Sequence, residues 1–126
     1  MKENFRQHTV AVLGASPKPD RYSYKAVRLL KENGYRVIPV NPAADEIEGL
    51  AVTRRLEDIS ETVHTLTVYV GPSRGEELLD AMLRLKPCRV ILNPGTESEI
   101  IESRLEENGI PVVRACTLVM LQTGQF

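Results

Sequence analysis

Apolar positions fall into short uncharged runs separated by longer stretches of helical spacing, and each run ends in Gly, Asn or Pro. Thr9-Val10-Ala11-Val12-Leu13 is the first run, and its lack of charge suits a strand covered on both faces, as in a parallel sheet. It delivers Gly14-Ala15-Ser16, a turn that Gly14 allows to be tight. Pro17-Lys18-Pro19-Asp20-Arg21 excludes a helix, so the loop is long and the next helix is expected near Tyr22 or Ser23. Tyr24, Ala26, Val27 and Leu30 mark its apolar face, and Asn33-Gly34 ends it. Tyr35 to Val40 is the second strand, stopped by Asn41-Pro42, and the crossover between the two should be right-handed.

The stretch Ala43 to His64 is more polar, with an edge strand expected over Leu50 to Thr53 and a helical turn over Leu56 to Ile59. Leu66 to Val70 is an interior strand broken by Gly71-Pro72. Ser73-Arg74-Gly75-Glu76 reads as a capping box opening one helix, with Leu78, Leu79, Met82, Leu83 and Leu85 inward and Pro87 beyond its end. Arg89 to Leu92 is the next strand, followed by Asn93-Pro94-Gly95. Thr96-Glu97-Ser98-Glu99 reads as a second capping box; its helix buries Ile100, Ile101 and Leu105 and stops at Asn108-Gly109. Pro111 to Val113 is the last strand, and Leu118 to Leu121 is an apolar piece that either covers the sheet or pairs two subunits.

Strands alternating with helices predict an α/β domain, a Rossmann-like three-layer open parallel sheet with helices on both faces. If the chain starts mid-sheet, walks outward and crosses back, the Leu66 strand lies beside the Val10 strand on the side away from Tyr35 to Val40. Ligands bind such sheets beyond the carboxyl ends of the strands where the order reverses. Gly14-Ala15-Ser16 and Val70-Gly71-Pro72 should therefore face each other across a cleft.

Gly14 is the first glycine of a G-x-G-x-x-G dinucleotide fingerprint whose other two are missing. The cleft gains positive charge from Lys18 and Arg21 in the first loop, Lys25 in the following helix and Arg74 in a later one. Arg21 has the fork that suits bidentate phosphate contact, and any of the four also suits a solvated surface. Asn41 stands where NAD-binding domains place an acid for the ribose 2′-hydroxyl. A neutral side chain there counts against NAD and tolerates a phosphorylated ribose, as in coenzyme A or NADP. An Asn-Pro turn without ligand contact accounts for it equally well.

The chain has 126 residues, enough for one such domain. With 16 basic and 17 acidic residues and a formal charge of −1, it has no basic footprint for nucleic acid. Its polar amino end has no signal core and no apolar run reaches spanning length, so a cytoplasmic protein is expected. Cys88 and Cys116 form no C-x-x-C pair, which predicts reduced thiols rather than a disulfide or zinc site.

Catalytic groups are scarce. His8 and His64 precede strands and belong at the amino edge, away from the cleft, so neither serves as a base or metal ligand there. Ser16 has no histidine to activate it and is better suited to contact a phosphate or to cap its own loop. Cys116 lies at the correct edge, as a small buried residue or a thiol. No catalytic set and no metal site can be assembled.

Val12-Leu13-Gly14-Ala15-Ser16, Arg21-Tyr22-Ser23-Tyr24, Val37-Ile38-Pro39-Val40-Asn41-Pro42, Gly49 and Leu56-Glu57-Asp58-Ile59 together resemble the small stand-alone CoA-binding domain proteins. These are similar to the amino-terminal domain of the succinyl-CoA synthetase α-subunit, and the resemblance runs from about Thr9 to Met120. It implies coenzyme A as ligand. It also implies phosphates against Gly14, Ala15, Ser16, Arg21 and Ser23, the adenosine end near Asn41 and Pro42, and the rest flanked by Val70-Gly71-Pro72 and Asn93-Pro94-Gly95. The chain departs from those relatives in having Val70-Gly71 where they carry arginines, and Leu92-Asn93-Pro94-Gly95 where they carry a Leu-Gln-x-Gly-like segment.

The expected function is binding of coenzyme A or an acyl-CoA without catalysis, as a sensor or carrier. Two alternatives stand beside it: an NAD(P)-binding oxidoreductase or redox sensor, and an acyl-CoA ligase subunit that depends on a partner chain.

Overall fold

The computed structural model describes residues 8–126; the polar stretch of residues 1–7 lies outside them. The chain runs β1 (Thr9–Leu13), α1 (Tyr22–Glu32), β2 (Arg36–Val40), β3 (Glu46–Ile47), β4 (Leu50–Ala51), a single 3-10 turn (Leu56–Asp58) and β5 (Thr65–Val68). It continues through α2 (Pro72–Glu77), α3 (Leu79–Leu85), β6 (Arg89–Leu92), α4 (Glu99–Glu107), β7 (Val112–Arg114) and α5 (Thr117–Gln122). Five strands form one parallel sheet in the order β2-β1-β5-β6-β7, so the order reverses between β1 and β5 as the pattern predicts.

Both faces of the sheet are buried, which is why its strands carry no alternation. Ala11, Leu13, Leu66, Val68 and Leu92 pack with Leu79 and Met82 of α3 and with Ile101 and Leu105 of α4. On the other face Val10, Val12 and Val37 pack with Val27 and Leu30 of α1, and Leu121 of α5 joins them. This is a Rossmann-like three-layer fold, and α5 covers the sheet while its Val119 stays 52% exposed.

Five local expectations need correction. Only Thr53 of the expected edge strand reaches the sheet, bridging Val40 in parallel. Leu50–Ala51 instead pairs antiparallel with Glu46–Ile47 across Glu48 and Gly49, whose φ of +52° and +75° give the doubly left-handed turn that short hairpins favour. The Ser73 capping box does not form: Gly71 is the N-cap and Pro72 takes the first helical position. That expected single helix is two, because the Leu78 N–H is shared between Arg74 O and Gly75 O at 3.2 and 3.1 Å, a tightened turn that ends α2. In the second box the cap is Ser98, which accepts from Ile101 N at 3.2 Å, because the Thr96 hydroxyl already donates to Asn93 O at 2.8 Å. Ile100, expected inward, is 57% exposed.

Candidate ligand site at the carboxyl edge of the sheet

The loops leaving β1, β2, β5 and β6 meet at one edge of the sheet, and local chemistry fixes each. Gly14 has φ +85°, and a Cβ there would lie 2.9 Å from Val70 Cγ1 and 3.2 Å from the Tyr69 carbonyl carbon. Glycine is therefore needed for close packing of the β1 turn on the tip of β5, whether or not a ligand is present. The amides of Gly14 and Ala15 both donate to Val40 O at 3.1 Å, so they are spent on holding β1 to β2 rather than aimed at an anion.

Asn41 is similarly committed. Its Nδ2 donates to Ala15 O at 2.8 Å, and its Oδ1 accepts from Ala43 N and Ala44 N at 2.7 and 2.8 Å. It both turns the chain after β2 and braces the β1 loop, while Pro42 beside it is exposed.

Asn93 is 2% exposed. Its Nδ2 donates to Thr67 Oγ1 and Val68 O at 2.7 and 2.8 Å, and its Oδ1 accepts from Thr117 N at 2.9 Å. The residue ties the ends of β5 and β6 to the start of α5, with no donor left for a ligand. Pro94 and Gly95 are exposed beside it, in a turn closed by Thr96 N to Asn93 O at 3.0 Å with Gly95 at φ +93°.

The first loop differs from all of these. Arg21 is the N-cap of α1 yet makes no side-chain cap, and no acid occupies the first turn. The helix start is thus left with unpaired N–H groups and an uncompensated positive dipole end. Among the described residues the Lys18 and Arg21 side chains have no ion-pair or hydrogen-bond partner, and Ser23, 6% exposed, makes no side-chain hydrogen bond. The other cations of the edge are paired: Arg54 with Asp45 at 2.7 Å, Arg74 with Glu77 at 2.9 Å, and Arg55 loosely with Asp58 at 3.6 Å. Lys25 lies over the Tyr22 ring at 5.4 Å.

Three cavities run along this edge. The first, about 460 Å³, lies between Ser16, Lys18, Arg21 and Asn41. The second, about 470 Å³, has Leu13, Gly14, Val40 and Val70 as its floor and Arg54, Arg55 and Arg74 among its walls. The third, about 290 Å³ and mostly apolar, is lined by Tyr22, Tyr69, Asn93, Pro94, Cys116 and Leu118. Gly14 and Val70 are thus in contact beneath an open cavity, while Gly71 and Pro72 stay exposed. Arg54, Arg55, Tyr22 and Tyr69 are lining residues that the sequence reading left out; the pair Arg54-Arg55 follows the segment that bridges β2, and only the bridge brings it to the cleft.

Tyr69 adds a buried polar group to the third cavity. Burial pushes its phenol up to about 12, against the nearby Thr117 and Thr67 hydroxyls. Those two hydroxyls bond each other at 2.7 Å, which leaves the phenol oxygen buried without a hydrogen bond. Cys116 borders the same cavity, half-buried.

Both histidines lie at the opposite, amino edge. Their rings stack at 3.7 Å, and His64 N donates to Thr9 O where β1 begins. Among the described residues no three His, Cys, Asp or Glu side chains cluster as a metal site would require, and no helix is long and apolar enough to cross a membrane.

Comparison with known proteins decides the family. A family model described as a CoA binding domain matches residues 8–122. The chain belongs to that family. A solved Thermus thermophilus protein is 36% identical, covering 100% of this chain and 99% of its own, with a TM-score of 0.87. The crystal structure of an uncharacterized protein is 42% identical over 95% of this chain and 98% of its own, with a TM-score of 0.90. The uncharacterized protein YneT of Bacillus subtilis is 34% identical over 73 residues, so the match spans 58% of this chain and about half, 52%, of that curated relative. A dinucleotide-forming acetyl-coenzyme A synthetase of Ca. Korarchaeum cryptofilum superposes with a TM-score of 0.75 over 90% of this chain and 27% of its own; at 23% identity it shares the fold.

Proposed function

We propose that this CoA-binding-family domain binds coenzyme A or an acyl-CoA and performs no chemistry by itself, acting as a sensor or carrier. The observation that carries the reading is the uncapped start of α1, where Lys18, Arg21 and Ser23 have unspent donors and no acid competes. Such an end is suited to an anion. Coenzyme A, which joins a pyrophosphate to a phosphorylated ribose and a long uncharged arm, fits an edge that is cationic at one end and apolar at the other.

In this reading Arg21, Lys18 and the Ser23 hydroxyl hold the pyrophosphate, with Ser16 beside them. The backbone of Gly14 and Ala15 shapes the turn without donating to it. Pro42 borders the adenosine end, where Asn41 keeps the loop in place. Val70-Gly71-Pro72 and the Pro94-Gly95 turn flank the arm, and Asn93 fixes that turn from below. When bound, coenzyme A supplies a thiol that carries acyl groups; the protein's part is to hold and present it.

Mass spectrometry of the nucleotide released from purified protein tests the ligand class, since a bound dinucleotide with no CoA would overturn the reading. Arg21→Ala tests the site. A charge-assisted phosphate contact contributes roughly 1.5 to 3 kcal/mol, so calorimetric affinity for CoA should fall about ten- to a hundredfold. Unchanged affinity would remove Arg21 from it.

A further inference from the structure

The two histidines of the chain have no part in the proposed function, and they meet at the amino edge of the sheet, away from the ligand site. His8, just before β1, stacks on His64, just before β5, with ring centroids 3.7 Å apart and planes 9° from parallel. His64 is also a junction of the backbone. Its N–H donates to Thr9 O at 2.9 Å and its carbonyl accepts from Arg89 N at 3.1 Å, which ties the entries of β1 and β6 to that of β5.

The side chains beside the stack decide where His64 carries its proton. Thr65 is fully buried, and its Oγ1 accepts from Arg89 Nε at 2.9 Å. Arginine only donates, so the single hydroxyl proton of Thr65 is left for His64 Nδ1, 2.8 Å away. That arrangement needs a neutral ring with its proton on Nε2. A proton added at Nδ1 would take away the acceptor of a buried hydroxyl and set a second cation beside Arg89. The charged and titratable groups that face His64 are His8 from before β1 and Arg89 from β6, and burial and both of these oppose its charge. β1 and β5 meet it with the uncharged Thr9 and Thr65, and Glu61, three residues upstream, is spent on Arg36 through two bonds of 2.5 Å.

We infer that the His8–His64 stack is an acid-released latch: at neutral pH it holds His8, at the entry to β1, against the amino edge of the sheet, and protonation of the imidazoles lets it go. Imidazole is the side chain that gains its charge between pH 5 and 8. Two imidazoliums face to face at 3.7 Å repel each other, and a protonated His64 no longer accepts from Thr65. The release is local, because the buried strands and helices of the core take no support from the stack.

NMR of the full chain with ¹⁵N-labelled histidine, titrated from about pH 7.5 to about pH 5 well below its unfolding temperature, tests the latch. At the upper end His64 should carry its proton on Nε2, and the two rings should show mutual ring-current shifts. On acidification those shifts should vanish. Protection of the His64 amide, corrected for the intrinsic pH dependence of exchange, should then fall about tenfold or more, while amides of β1 and β6 such as those of Val12 and Ile91 keep theirs. His8→Ala, at a half-buried position outside the core, should remove most of that pH dependence, because the stack is already absent. A neutral His64 with its proton on Nδ1, ring-current shifts that persist at the acid end, or an undiminished pH dependence in His8→Ala overturns the inference. The ligand site lies at the other edge, so CoA binding stands or falls separately.

Discussion

At the residue scale, Asn41 and Asn93 separate two reasons for a polar residue at a strand end. Both side chains are consumed by the fold, Asn41 across the β1 loop and Asn93 between β5, β6 and α5. Asn93→Ala would leave Val68 O, Thr117 N and the Thr67 hydroxyl short of partners inside the core. Each unsatisfied buried group costs about 1–3 kcal/mol, so urea unfolding should show a loss of about 2–4 kcal/mol. A loss below about 1 kcal/mol would mean that the network is dispensable. His64 makes a second, pH-dependent prediction. Burial, then the nearby His8 and Arg89, hold its imidazole below the ordinary value of 6.5. Protons therefore prefer the unfolded chain, and stability should fall as pH drops below about 6.5 until the folded group also titrates. In His64→Asn that part of the slope between pH 7 and 5 should disappear from thermal unfolding; an unaltered slope would show that His64 titrates alike in both states. The turn made by Asn41 was one of two readings open in the sequence, but its brace to Ala15 and the whole network of Asn93 were not legible, because those partners lie 24 to 26 positions away and a turn asparagine and a ligand asparagine have the same local signature.

At the element scale, the start of α1 shows stability given up where a ligand is expected. An N-cap in extended conformation, φ −81° and ψ 142°, is shaped for Ser, Asp or Asn, and the sequence puts Arg21 there. Arg21→Asp should cap the helix and complement its dipole, raising stability by about 0.5–2 kcal/mol in thermal unfolding while lowering CoA affinity at least tenfold. A variant that is both less stable and equally able to bind would contradict that trade. Helix and strand spans were mostly legible because their period follows from burial on one or two faces. The two capping boxes were less so. Pro72 at the first helical position and the Thr96 bond to Asn93 O each claimed the groups that a cap needed, and such competition is invisible to a four-residue motif. The hairpin over Glu46–Ile47 and Leu50–Ala51 escaped notice because its strands are two residues long.

At the scale of the whole molecule, the sheet order reverses between β1 and β5, and the loops after β1, β2, β5 and β6 meet at that one edge. The resemblance to CoA-binding domains was legible in segments from Val12-Leu13-Gly14-Ala15-Ser16 through Leu56-Glu57-Asp58-Ile59. The arginine cavity was not, since Arg54, Arg55 and Arg74 meet only through the bridge of Thr53 to Val40 and the placement of α2. A ligand that binds only the folded state must also stabilise it, by about 2.7 kcal/mol at a hundredfold excess over its dissociation constant. CoA at a hundredfold excess over the wild-type dissociation constant should accordingly raise the unfolding midpoint of wild type, and raise that of Arg21→Asp by about half as much or less, since tenfold weaker binding leaves about 1.4 kcal/mol.

The central claim is tested most directly by calorimetric titration of the purified chain with CoA, NAD⁺ and NADP⁺ at one salt concentration. Saturable binding of one CoA per chain, tighter than either dinucleotide, is the predicted result; no binding of CoA, or tighter binding of a dinucleotide, would contradict it.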